Sequence, residues 1–227
     1  MYLVNSPEAA DFMVGMGSET RRKVALGDKA KFQGTAAFNH ISSAHNAVAE
    51  GIPKIAALAQ DPTRTLVDQH HAARHVANGI YAVITQAQAG LETEGRAFTK
   101  EGSGLINSVL VLDPSRNLFH HRILDWIEVQ AGKPDGIKQI REAAKDNSEF
   151  VALLSLSPGY ISALSASTRE NIVEDGLQRF APEGLAKIRQ GQELTALAGK
   201  YAKFAKMLPV YTYNRELADQ GNRRVEI

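Results

Sequence analysis

LVDQHHAARHVANGIYAVITQAQAGLETEGRAF, residues 66–98, is the stretch that decides the fold. Leu66, His70, Ala73, Ala77, Ile80, Ile84, Ala87, Leu91 and Phe98 recur at helical steps. At about 100° per residue they fall in one narrow sector, the buried face of an amphipathic helix. Alanine at three of these positions lets a neighbouring helix approach closely. The spacing predicts a helix over about 65–99, roughly 50 Å long, ended by KEGSG at 100–104.

Upstream, Ile41, His45, Val48, Ile52, Ile55 and Ala59 share a second helical face. Pro53 lies within it and predicts a kink or break, because proline lacks an N–H and clashes with the preceding turn. Before Phe38 the elements are short. Ser6-Pro7-Glu8 starts a helix ending near Gly15 or Gly17, and Ser18-Glu19 opens another that stops at Gly27. Residues 1–36 read as an N-terminal arm.

Downstream, SVLVL at 108–112 does not decide between strand and helix. Asp113-Pro114 opens a helix stopped by Gly132, with Phe119, Ile123, Trp126 and Ile127 marking its buried side. Helices follow from Pro134-Asp135, from Asn147, from a cap at Ser167 or Thr168, and from Pro182 to just before Pro209. In the last of these, Leu194, Leu197, Tyr201, Phe204 and Leu208 form a heptad-like row. No hairpin signal occurs. The expected fold is therefore all-α: a bundle of seven or eight helices around one long central helix, with extended N- and C-terminal arms. The division is arm 1–36, helical body 37–208 and tail 209–227.

The 227 residues carry 26 Lys and Arg against 25 Asp and Glu, so no global charge drives the chain toward nucleic acid or an anionic surface. There is no cysteine, which removes disulfides, thiolate metal sites and thiol nucleophiles. The N-terminal stretch lacks the pattern of a signal peptide, and no apolar run is long enough to cross a membrane. A soluble chain with no membrane association and no cofactor is expected.

Three histidines within six residues, His70, His71 and His75, pose a chemical question. His70 falls inside the apolar stripe, where a core histidine held by a hydrogen bond is expected. His71 and His75 lie on the polar face at the i, i+4 spacing that lets two imidazoles share a metal. Arg74 between them opposes a cation, and no carboxylate accompanies them as in a zinc-enzyme helix. His120 and His121 are further weak ligand candidates, and His120 or His121 could pair with Asp125. The expectation is no metal and no catalytic residue; a histidine-dependent metal enzyme stands as an alternative.

Arg21, Arg22 and Lys23, with Lys29 and Lys31, form a basic segment, and Lys200, Lys203 and Lys206 share a face of the last long helix. Arg223 and Arg224 add to the tail. These are candidate phosphate contacts and carry the DNA-binding alternative, a packaging or regulatory role. The arms carry candidate intersubunit contacts: Tyr2, Leu3, Phe12, Met13, Met16, Val24, Leu26 and Phe32 in the first, and Val210, Tyr211 and Tyr213 in the second.

DPTRTLVDQHHAARHVANGIYAVITQAQAGLETE, LFHHRILDWI, IKQIREAAKDNSEFVALLSLSPGYISALS and RFAPEGLAKI follow one another between about Pro62 and Leu208. In this order they resemble a group of helical proteins encoded in the virion-structure gene clusters of tailed phages and prophages. The likeness covers about two-thirds of the chain and is one of helices and turns. It brings no catalytic residues, and His71, His75, His120 and His121 lie outside the shared pattern. It implies a non-enzymatic structural or assembly protein of a tailed-phage virion, at the head, at the head–tail junction or inside the particle. The expected partners are further copies of the chain and other virion proteins, and the expected location is the virion, with the host cytoplasm during assembly.

Overall fold

A computed structural model describes residues 2–157 and 163–221. Among the described residues there is no strand, as the spacing predicts, and there are ten α-helices rather than the seven or eight expected. They are α1 (Pro7–Gly17), α2 (Glu19–Leu26), α3 (Ala36–Leu58), α4 (Leu66–Val109), α5 (Asn117–Ala131), α6 (Gly136–Lys145), α7 (Ser148–Leu156), α8 (Ala166–Phe180), α9 (Pro182–Thr212) and α10 (Arg215–Gln220). Single 3-10 turns precede α3 and α5.

The chain forms two compact units. One takes the described residues of Met1–Arg96 and Gln192–Ile227, the other Ala97–Gly191. This division differs from the arm, body and tail read from the sequence.

In the first unit the long stripe is buried as expected. His70, Ala73, Ala77, Ile80, Ile84, Ala87 and Leu91 all face inward; Leu66, at the helix start, is exposed. Thr65 caps α4, its Oγ1 accepting from the Asp68 N–H at 3.2 Å. α3 runs through Pro53 without breaking. Ile52 and Ile55 are buried on either side of the proline, and that packing outweighs the roughly 3 kcal/mol that an interior proline costs.

The N-terminal segment is not an extended arm. Ser6 caps α1 as expected, its Oγ accepting from Ala9 N–H at 3.1 Å, but α1, α2 and the following 3-10 turn all pack on α3. Phe12, Met13, Leu26 and Phe32 are buried in the chain's own core. The Phe12 ring lies 5.5 Å from Phe204 and 5.3 Å from Tyr211. The C-terminal tail is not extended either. α9 continues through Pro209 to Thr212, and Tyr213 and Ala218 are buried. Phe12, Met13, Leu26, Phe32 and Tyr213 of the two terminal segments are thus covered within one chain, while Val24 and Val210 stay exposed.

In the second unit, α4 does not end at 100–104 but continues to Val109. Gly102 is the reason. A Cβ there would lie 2.5 Å from the Gly184 carbonyl oxygen of α9, and one on Gly184 would lie 2.9 Å from the Gly102 oxygen. The two glycines let two helix backbones cross in contact, and this packing overrides glycine's low helix propensity. α8 begins earlier than expected, with Ser165 as its cap, Oγ accepting from Thr168 N–H at 3.2 Å. The core gathers Ile123 and Ile127 of α5, Ile140 of α6, Phe150, Val151 and Leu154 of α7, and Ile172 of α8. Tyr160 and Ile161 of the quoted SLSPGYIS stretch lie outside the described residues.

Candidate interaction surfaces

His70, His71 and His120 make hydrogen bonds within the chain, whereas among the described residues His75 and His121 do not. His70 is buried, and its Nδ1 accepts the Asn214 N–H at 3.0 Å, tying α4 to the start of α10. His71 Nδ1 lies 3.3 Å from the Ala218 carbonyl oxygen. Arg74 donates to that oxygen at 2.9 Å and pairs with Asp219. His75 is exposed, as is His121. His120 is buried; its Nε2 lies 3.3 Å from Glu149 Oε1, while Arg116 holds the other carboxylate oxygen at 2.6 Å. Asp125 is exposed and takes no part in that pair. Among the described residues no three His, Asp or Glu side chains come together as a metal site.

Two of these rings carry a pH dependence. Burial pushes both His45 and His70 below the ordinary histidine value of 6.5; for His45 the nearby Arg22 and Lys29 add to this, and the Gly27 carbonyl, 2.9 Å from Nε2, opposes it. Protonating His70 at Nδ1 would abolish its acceptor role toward Asn214. The unfolded chain therefore binds protons more readily than the folded one. The stability these neutral rings contribute is complete above about pH 6.5 and falls as the pH drops below it. We expect the thermal midpoint, followed by circular dichroism, to decline between about pH 6.5 and pH 5, and His70→Asn to flatten that decline while lowering the midpoint at neutral pH.

The basic segment of the N-terminal unit is largely engaged within the chain. Arg21 pairs with Asp11 at 2.8 Å, Lys23 with Glu19 at 3.5 Å and Lys31 with Glu193 at 2.8 Å. Arg22 donates to the Met16 and Gly17 carbonyls at 2.7 and 2.9 Å, closing the C-terminus of α1. Lys29 lies 6.0 Å from the Phe38 ring centroid. Lys200, Lys203 and Lys206 are exposed and make no ion pair within 4.0 Å among the described residues. Arg223 and Arg224 lie outside the described residues. Of the arm contacts expected on a partner, Val210 is exposed, Tyr2, Leu3, Met16 and Tyr211 are half-buried, and Val24 is exposed beside Met207 in an open groove of about 670 Å³.

One run of exposed apolar side chains on a single helix was not singled out from the sequence. On α5, Leu118 is 72 % and Val129 59 % exposed, and Phe119 and Trp126 are also open to solvent. Phe119 and Trp126 were expected on the buried side. Ile123 and Ile127 are buried there as expected, joined by His120 and Gln130. At about 100° per residue, Leu118, Arg122, Asp125, Val129, Trp126 and Phe119 fall within a sector of about 120°. The Arg116 guanidinium lies 4.6 Å from the Phe119 centroid, and Trp126 meets Phe150 edge-on at 6.0 Å. Both aromatic rings are therefore held in place while one side of each remains open. The signal available beforehand was α5's excess of apolar residues, more than one buried face accommodates.

No protein-family model, no curated protein and no solved structure matches the chain. No helix of the described residues is long and apolar enough to cross a membrane.

Proposed function

We propose that the chain is a non-enzymatic structural or assembly protein of a tailed-phage virion, acting through protein–protein interfaces. The observation that carries an interface role is the exposed apolar face of α5. Two aliphatic and two aromatic side chains on one helix face are the kind of surface that marks a site of association. The placing in a virion comes from the resemblance of residues 62–208 to helical proteins of virion-structure gene clusters. The partners on this reading are further copies of the chain and neighbouring virion proteins. The experiment is quantitative mass spectrometry of purified particles from the phage or induced prophage that encodes the chain. We expect the chain in stoichiometric, multiple copies; its absence from washed particles removes the virion assignment.

A second reading, DNA binding in packaging or regulation, is favoured by Lys200, Lys203 and Lys206 on one face of α9. Three phosphate contacts would give binding whose logarithm falls with log salt at a slope of about −3. In gel shifts we expect instead no retained complex at physiological salt, and no change on converting the three lysines to glutamine. A steep salt slope abolished by those substitutions would reverse the order of the two readings.

A further inference from the structure

We infer that the exposed face of α5 binds a second copy of the same helix, antiparallel, about a two-fold axis midway between Ile123 and Leu124. The inference rests on the reading of this face as an interface and names its occupant.

The stripe Leu118, Arg122, Asp125, Val129 advances by four, three and four residues, the spacing of a two-helix seam. In an antiparallel pair about that axis, Arg122 of each copy faces Asp125 of the other, and Leu118 of each faces Val129. One helix thus supplies both halves of a charge pair and both halves of two apolar layers. This is the self-complementarity that a two-fold interface requires, where residue i meets j and j meets i. Arg122 and Asp125 are both exposed, and among the described residues neither has a hydrogen bond or ion pair, so both are free for a partner. Parallel pairing would set Arg122 against Arg122 and Asp125 against Asp125, so the charges also select the orientation. Trp126 and Phe119 lie along one side of the seam. A contact over one helix pair is small, at the low end of specific interfaces of about 1,200 Å² in total. Such a contact serves as one among several in an assembly.

Sedimentation velocity of the full chain over a micromolar concentration series tests this. The wild type is expected to pass from monomer to dimer. Arg122→Asp places Asp against Asp, and Asp125→Arg places Arg against Arg; each alone is expected to weaken dimerisation by roughly tenfold or more. Mixing the two single variants restores the dimer. The new carboxylate of the first then meets the new guanidinium of the second, while the unaltered Asp125 of the first meets the unaltered Arg122 of the second. The double variant dimerises by itself. Both positions are exposed, so circular dichroism is expected to show unchanged helicity. A wild type that stays monomeric, single variants that dimerise like the wild type, or a mixture that fails to recover the dimer would each overturn the inference. A self-associating chain that is absent from particles keeps this pairing and loses only the virion reading; a chain abundant in particles but monomeric loses only the pairing.

Discussion

Gly136→Ala is expected to destabilise the Ala97–Gly191 unit by about 3 kcal/mol. A Cβ at this position would lie 1.6 Å from the Gln130 carbonyl oxygen and 2.5 Å from its carbon. Both are backbone atoms, so no side-chain rotation relieves the clash. The connection between α5 and α6 must open instead. It is held by Lys133 N–H donating to Gln130 O at 2.9 Å and by Gly136 N–H donating to Lys133 O at 3.0 Å. Opening it displaces α6 and draws Ile140 away from Ile123 and Ile127. The gain in helix propensity on replacing glycine, about 1 kcal/mol, is too small to offset this. Gly132→Ala is the control: its nearest neighbour would be 3.8 Å away, and an effect within about 0.5 kcal/mol is expected. Denaturant unfolding of both variants, followed by circular dichroism, makes the comparison. Equal transitions would contradict the tight α5–α6 turn.

Tyr201→Ala is expected to cost about 3–5 kcal/mol in the other unit. Tyr201 is fully buried, and its hydroxyl donates to the Leu26 carbonyl at 2.8 Å. Burial pushes the phenol above its ordinary value, so at neutral pH it keeps the proton it donates. Alanine leaves a ring-sized cavity and an unpaired buried carbonyl. Tyr201→Phe keeps the packing and removes only the donor, so about 1–2 kcal/mol is expected. The comparison also probes the N-terminus, because Leu26 lies in the segment read from sequence as an arm. If that segment were loosely attached, Tyr201→Phe would leave the unfolding transition unchanged.

The long central helix was legible because its periodicity is sustained, and seven of the eight stripe residues from Leu66 to Leu91 are buried. Its true end was not. Gly102 and Gly104 look like stops to any local rule, and only the partner glycine on α9, far along the chain at 184, gives Gly102 a packing reason. The prolines at 53 and 209 likewise act locally as breakers, while long-range burial of Ile52, Ile55, Leu208 and Thr212 keeps both helices continuous. The terminal segments show a different limit. Their apolar residues signalled that something must cover them, but composition does not say whether the cover is the same chain or another. For Phe12, Met13 and Phe32 it is the same chain.

The interaction face was the least legible feature. α5 carries Leu118, Phe119, Ile123, Leu124, Trp126, Ile127 and Val129, apolar side chains on most of its circumference. A helical wheel with so many apolar positions does not say which face is inward. Packing against α6 and α7 chose Ile123 and Ile127, which left Leu118, Phe119, Trp126 and Val129 outside. The histidine cluster misleads in the opposite sense: chemically suggestive residues serve as hydrogen-bond partners for helix ends, as His70 does for Asn214 and His120 for Glu149.

The chain's lack of cysteine permits a direct test of an assembly role through α5. Val129→Cys introduces a single thiol on the exposed face, and its rate of maleimide labelling can be compared in the dilute isolated chain and in intact purified particles. Rapid labelling of the free chain and strong protection in the particle are expected. Labelling at the same rate in both, or particles without the chain, would contradict the account.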